Sequence, residues 1–285
     1  MSLEQWLRQI CQSGVHSGVT RQGGPAKRVV IGLNGPVGAG KSSLARRLQA
    51  ELHGQGLRVA VASIDDAYAP YGDRLARLSG NPYGVTRVPP GSHNPDWLLD
   101  PIRRWRSGAP DLQLPRFDKR LRGGDGDPAP PWQGAADVLV LEGWLVGCRP
   151  LQASDLDAWT SDSSRAALTS SERQWQQRCD HALMAYVPLW DELDELVMLW
   201  PLRWRDPYRW RFQAEARQRR SGGGWMQPDA LRRMIQASLE SLPPPLYQRP
   251  LLHKAGWVRL LDSRRRVQWE GPGPEAAAVL DQAQA

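Results

Sequence analysis

Phenylalanine is nearly absent from this 285-residue chain, which has two (Phe117 and Phe212) against 14 tryptophans and six tyrosines. Cysteine is scarce as well. Cys11, Cys148 and Cys179 are odd in number and far apart, with no C-x-x-C pair, which excludes a disulfide framework and a cysteine-rich metal centre. No run approaches the roughly 18 apolar residues of a membrane span. The N-terminus lacks the apolar core and cleavage site of a signal peptide. Leu3, Trp6, Leu7 and Ile10 instead fall at helical spacing, broken by Glu4 and Arg8, as in an amphipathic helix. A cytoplasmic location is the expectation.

Lysine is the rarer basic residue: Lys27, Lys41, Lys119 and Lys254 are four of 37 cations, in a chain of net charge +7. A basic surface attracts ATP and small anions as readily as nucleic acid. No helix-turn-helix, zinc finger or RNA-binding aromatic signature is present, so neither nucleic acid nor membrane is an expected partner. The guanine-reading N-K-x-D motif is also missing, which argues against a GTPase.

What is there begins with Gly35-Pro36-Val37-Gly38-Ala39-Gly40-Lys41-Ser42, a match to every fixed position of G-x-x-x-x-G-K-[ST]. Arg28–Asn34 before it reads as a buried strand. Ser43–Ala50 after it reads as a helix, with Leu44 and Leu48 on one face. That strand–loop–helix context is what a phosphate loop requires. Its glycines let successive N–H groups turn toward a phosphate, and the helix N-terminus adds partial positive charge. Gly35 to Ser43 are therefore the candidate ATP-binding residues. Lys41 would reach the β- and γ-phosphates, and the Ser42 hydroxyl would ligate Mg²⁺.

Further strands are expected at Leu57–Ile64, Val138–Leu141, Leu196–Trp200 and Val258–Leu261, with a short addition at Arg266–Trp269. Helices are expected at 97–105, 208–220 and 228–242, with a weak Ala-rich helix after Gly271. Residues 69–95 and 106–136, rich in Pro, Gly and Asp, read as long loops, the first with a short helix near 73–78. Alternating strands and helices imply an α/β, three-layer fold whose mostly parallel sheet carries its ligands at the strands' C-terminal ends. Residues 1–25 read as an N-terminal helix and linker. Residues 26–285 read as one phosphate-loop domain, with 154–180 a mobile polar surface insertion around a short helix.

Three groups follow buried strands directly: the phosphate loop, Ser63-Ile64-Asp65-Asp66-Ala67-Tyr68, and Glu142. A carboxylate at Asp65 would face the γ-phosphate and accept a proton from an attacking hydroxyl, or else cap a turn. Glu142 stands where an acid contacts Mg²⁺ directly or through water. Arginines crowd residues 203–220. Such a run is commonly a solvated face, though one or two members can close over the transferring phosphate.

Taken together, these residues resemble the plant-type D-glycerate 3-kinases, grouped with uridine kinase, pantothenate kinase and phosphoribulokinase. The resemblance runs from about residue 28 to 262. It extends to Asn81-Pro82-Tyr83-Gly84 through Gly91-Ser92-His93-Asn94, to Pro115-Arg116-Phe117-Asp118-Lys119 with Gly124-Asp125-Gly126-Asp127, to Glu142-Gly143-Trp144-Leu145-Val146-Gly147, and to Trp210-Arg211-Phe212-Gln213-Ala214-Glu215. Ala67, Ser92 and Asn94 depart from the usual aromatic, threonine and acid.

The resemblance implies Asp65 as general base and Glu142 as the acid near Mg²⁺. It implies Tyr68, His93, Arg116 and Lys119 about the acceptor, and Arg211 and Arg217 in a lid. Lys41, Asp65 and Arg211 are then the expected catalytic residues, and Arg217 would also meet substrate. The expected reaction is Mg-ATP plus D-glycerate to 3-phosphoglycerate, by a monomer. Another acceptor on the same scaffold, or an ATP-binding protein without turnover, are the alternatives.

Overall fold

The computed structural model describes residues 1–16, 28–161, 168–220 and 226–282. Along the chain run α1 (Leu3–His16), β1 (Val29–Asn34), α2 (Lys41–His53), β2 (Val59–Ser63), α3 (Tyr71–Arg77), α4 (Asp96–Arg106), β3 (Leu112–Asp118), β4 (Asp127–Gly134) and β5 (Val138–Gly143). There follow α5 (Ala153–Ser161), α6 (Ser170–Ala182), α7 (Val187–Trp190), β6 (Glu195–Pro201), α8 (Asp206–Arg220), α9 (Pro228–Ser241), α10 (Pro244–Tyr247), β7 (Trp257–Leu261), β8 (Val267–Gly271) and α11 (Gly273–Gln282). The expected linker past residue 16, part of the 154–180 segment and the glycines at 222–224 lie outside the described residues.

The main sheet has the order β2-β5-β1-β6-β7-β8. The first five strands run parallel and β8 closes one edge antiparallel to β7. Alternation along the strands divides the core in two, because successive side chains point to opposite faces. Val29, Ile31 and Leu33 of β1 join Val138 and Val140 of β5 against α1 and α2. Val30, Leu139 and Leu141 face the other way, toward a larger cluster with Leu98, Ile102 and Trp105 of α4. Two buried faces are why these strands read as unbroken apolar runs.

The N-terminal helix is part of the first layer. Leu3, Leu7 and Cys11 are fully buried there. Arg259 of β7 donates to Glu4 at 2.8 and 2.9 Å and to Glu270 at 2.6 Å, tying α1 to the sheet edge.

Two expectations are corrected. Residues 106–136 hold an antiparallel hairpin, β3–β4, not a long loop. Pro115, Pro128, Pro130 and Pro131 hid it, since proline marks a non-strand in a sequence yet is tolerated in a two-stranded ribbon. The segment 154–180 is also not all polar surface. It contains α5 and α6, and Trp175 and Cys179 of α6 are core residues. Thr169 starts α6 with a capping box, Glu172 reaching back to the Thr169 N–H.

Candidate active site

The ends of β1, β2 and β5 bring three sequence motifs to one cavity of about 460 Å³. After β1 the chain turns through Gly38 and Gly40, whose φ values of 79° and 98° belong to the left-handed region that favours glycine. At Gly38 a second constraint acts: a Cβ there would lie 2.8 Å from the Arg211 backbone nitrogen. The phosphate loop therefore packs backbone to backbone on α8. Trp210 holds that helix in place, fully buried and donating through Nε1 to the Ser263 carbonyl at 2.9 Å. Lys41 donates to the Pro36 carbonyl at 3.1 Å, curling over its own loop. Burial lowers its pKa, against the opposing pull of Glu142 and Asp65.

Ser42 and Glu142 meet directly. The Ser42 hydroxyl donates to Glu142 Oε1 at 2.6 Å. The turn after Glu142 is fixed by Asn34, whose amide donates to the carbonyls of Trp144 and Val146. A Cβ on Gly143 would sit 2.4 Å from Ile64, so glycine is what lets the acid approach β2. Hard oxygen donors of this kind suit Mg²⁺, which takes one or two protein oxygens and fills its octahedron with phosphate and water. The pair fits such an ion. Ser42 and Glu142 are the residues that would hold it.

Asp65 lies across the cavity, in a short turn opened by the Ser63 capping box. That cap belongs to Asp66, which accepts from the Ser63 N–H at 2.9 Å and leaves Asp65 free of capping duty. Lys119 donates to Asp65 Oδ2 at 2.7 Å, and His93 Nε2 stands 3.9 Å from Oδ1. Burial would raise the Asp65 pKa, but Lys119 and His93 outweigh it and hold the carboxyl well below its usual range. Burial pushes Asp66 the other way, upward.

The acceptor residues divide. Tyr68 and Lys119 line the cavity, as do Lys41, Ser42, Glu142 and Arg211. His93 sits behind Tyr68, ring stacked on ring at 4.3 Å. Two expected residues do not line the cavity. The Arg116 guanidinium is engaged by Asp66 at 3.3 Å and by the carbonyls of Pro115 and Val61, so it braces the turn under Asp65. Arg217 is exposed on α8 and does not line the cavity; it stands near Arg265, whose pKa burial and Arg217 together lower. Arg211 does reach the cavity and pairs with buried Glu215.

Sequence reasoning missed Arg87. It lines the cavity and donates to the Asp125 carbonyl at 3.1 Å. Its only signal was a position between two matched motifs. Arg265 was missed too: in the β7–β8 turn it donates to the Gly38 carbonyl at 3.3 Å, beside a second hollow of about 180 Å³.

The chain is 30% identical over 196 residues to "Uncharacterized kinase mug58" of Schizosaccharomyces pombe, covering 65% of this chain and 69% of that protein. The chain belongs to that kinase's family. A second homologue is the chloroplastic D-glycerate 3-kinase of Arabidopsis thaliana, 26% identical over 254 residues, which span 83% of this chain and 52% of the plant protein. The fold matches the structure of a D-glycerate 3-kinase from Cryptococcus neoformans, with a TM-score of 0.80, 24% identity and coverage of 95% and 99%. A family model described as methylmalonyl Co-A mutase-associated GTPase MeaB matches residues 7–75, the phosphate-loop part alone. This chain is thus a phosphate-loop kinase. Among its described residues no helix is long and apolar enough to cross a membrane.

Proposed function

We propose that this kinase transfers the γ-phosphoryl group of ATP to D-glycerate, giving 3-phosphoglycerate and ADP. The observation that carries the reading is Asp65 facing Lys41, Ser42 and Glu142 across one cavity, with Lys119 and Arg87 on the acceptor side. A hydroxy-carboxylate needs one group to take its hydroxyl proton and cations to receive its carboxylate, preferably with a guanidinium among them.

Asp65 takes the proton of the C3 hydroxyl as the new O–P bond forms and the bond from the γ-phosphorus to the ADP oxygen breaks. Lys41 places positive charge on the phosphoryl oxygens, where phosphoryl transfer needs it most. Bound Mg²⁺ would supply further charge neutralisation at the phosphates. Arg211, on the helix that packs against Gly38, covers the loop and excludes water from the transfer. Lys119 leaves Asp65 for the substrate carboxylate, so an anionic acceptor frees the base as it binds. Support from relatives is the naming of two homologous proteins as D-glycerate 3-kinases.

The test is ADP formation from Mg-ATP and D-glycerate, with the product identified by coupled consumption. A product that enters enolase only after phosphoglycerate mutase is the 3-phosphate, as proposed. Direct consumption by enolase means the 2-phosphate, and places the other hydroxyl at Asp65. If glycerate gives no ADP while pantothenate, a nucleoside or a sugar phosphate does, the acceptor is wrong and the kinase reading stands. ADP formation unchanged in Asp65→Asn would remove the assignment of the base.

A further inference from the structure

Tyr186 lies 93 residues from His93 in sequence, outside every motif above. It is buried, at the turn between α6 and α7, with its hydroxyl 2.8 Å from His93 Nδ1. From the hydrogen-bond directions around that hydroxyl we infer that Tyr186 is a positioning residue, which sets the His93 tautomer so that the ring N–H faces Asp65.

The proton count leaves one consistent arrangement. The Gly91 N–H donates to the Tyr186 oxygen at 3.1 Å, so one of that oxygen's acceptor positions is taken. The phenol keeps its own hydrogen, since burial pushes its pKa further up. That hydrogen is directed at His93 Nδ1, the ring nitrogen within reach. Ser92 Oγ is the other neighbour of Nδ1, at 3.5 Å, and its hydrogen already goes to the Pro89 carbonyl at 2.6 Å. Nδ1 is therefore the acceptor, and in a neutral imidazole the proton then sits on Nε2. Burial favours that neutral form by lowering the His93 pKa, although Asp65 pulls it upward.

Nε2 is buried with no hydrogen-bond partner, and its near polar neighbour is Asp65 Oδ1 at 3.9 Å. The opposite tautomer would fail twice. It would leave the buried Tyr186 hydrogen without an acceptor, and it would turn a nitrogen lone pair toward a carboxylate. With the proton on Nε2, the ring presents a donor to Oδ1 just as Lys119 holds Oδ2. When the acceptor draws Lys119 away, the His93 N–H remains to hold the carboxylate in plane, a small rotation of the Asp65 side chain closing the 3.9 Å gap. Stacking on Tyr68 fixes the ring so that only the tautomer is left to be chosen.

This inference rests on the reading of Asp65 as the base, and the test separates the two. Nitrogen-15 two-bond correlation spectra of the full chain, with His93 assigned by its loss in His93→Gln, report the tautomer without any turnover. The expected wild-type result is a proton on Nε2. Tyr186→Phe should move it wholly or partly to Nδ1 and lower kcat by roughly ten-fold through misplacement of the base, with KM for ATP within about two-fold. In a His93→Gln background, where the amide has no tautomer to set, Tyr186→Phe should cost much less. A wild-type proton on Nδ1 overturns the inference whether or not Tyr186→Phe folds. So does a Tyr186→Phe enzyme whose tautomer or kcat is unchanged. If Asp65→Asn keeps its turnover, the base reading falls, and the spectra still decide what Tyr186 does to His93.

Discussion

Ser42 donates its hydroxyl to Glu142 Oε1 across 2.6 Å, joining the first turn of α2 to the end of β5, 100 residues away in sequence. Both are hard oxygen donors beside a phosphate loop, and together they would form the protein side of a divalent-cation site. Glu142→Gln keeps the shape and can still accept from Ser42, but removes the charge. The expected outcome is a kcat reduced by about 10²–10³. The Mg²⁺ concentration for half-maximal rate should rise with it, while urea unfolding is little changed. A variant whose rate falls with no change in its Mg²⁺ dependence would place Glu142 elsewhere in the chemistry.

Gly38 makes a different kind of demand. Its φ of 79° is strained for any side chain, and a Cβ would press on Trp210 and on the Arg211 nitrogen at 2.8 Å. Gly38→Ala should therefore disturb the phosphate loop and the seating of α8 together. Calorimetry should show ATP binding weakened by at least about ten-fold, that is about 1.4 kcal/mol. Gly40→Ala shares the backbone penalty but meets nothing within 4 Å. It should leave α8 in place and cost less.

Much of this was legible in the sequence because it is local. A phosphate loop between a strand and a helix is written in consecutive residues, and the acids after β2 and β5 follow apolar runs of the right length. The hairpin was not, since its prolines speak against strands and its pairing is fixed by partners elsewhere. Arg116 and Arg217 show that residue type alone does not say which cations line a cavity. Arg116 is drawn to Asp66, and Arg217 lies exposed on the helix that brings Arg211 in. Arg87 and Tyr186 were invisible for the converse reason, having no local pattern and acquiring meaning from distant neighbours.

Arg74 tests how the acceptor side is built. It is fully buried, and its guanidinium donates to the carbonyls of Ala69, Thr86, Asp125 and Gly126. It thereby ties the loop after β2 to the β3–β4 turn that follows Lys119. Arg74→Met keeps the apolar stem and orphans those carbonyls. The loss should be about 3 kcal/mol or more, read as a lower urea midpoint, because each unsatisfied buried group costs about 1–3 kcal/mol. In the folded fraction, KM for glycerate should rise more than KM for ATP. Equal increases would mean that the two halves of the site are not separately supported.

The Lys119–Asp65 pair makes a prediction about pH. Asp65 accepts a proton only as a carboxylate. Burial would raise its pKa, but Lys119 at 2.7 Å and His93 hold it well below the usual value, so it stays ionised throughout the neutral and mildly acid range. Lys119→Gln removes the larger opposing charge, and the Asp65 pKa must rise. The acid side of the kcat/KM profile, which reports the free enzyme, should then move to higher pH, with KM for glycerate raised as well. The same shift appears in stability. A depressed folded pKa contributes stability that is present above the unfolded value of about 3.9 and lost as pH falls through the folded one. The gap in stability between wild type and Lys119→Gln should accordingly be full at neutral pH and shrink as the pH drops below about 4. An unmoved acid side with KM alone raised would mean that Lys119 serves the substrate carboxylate and has no hold on the base.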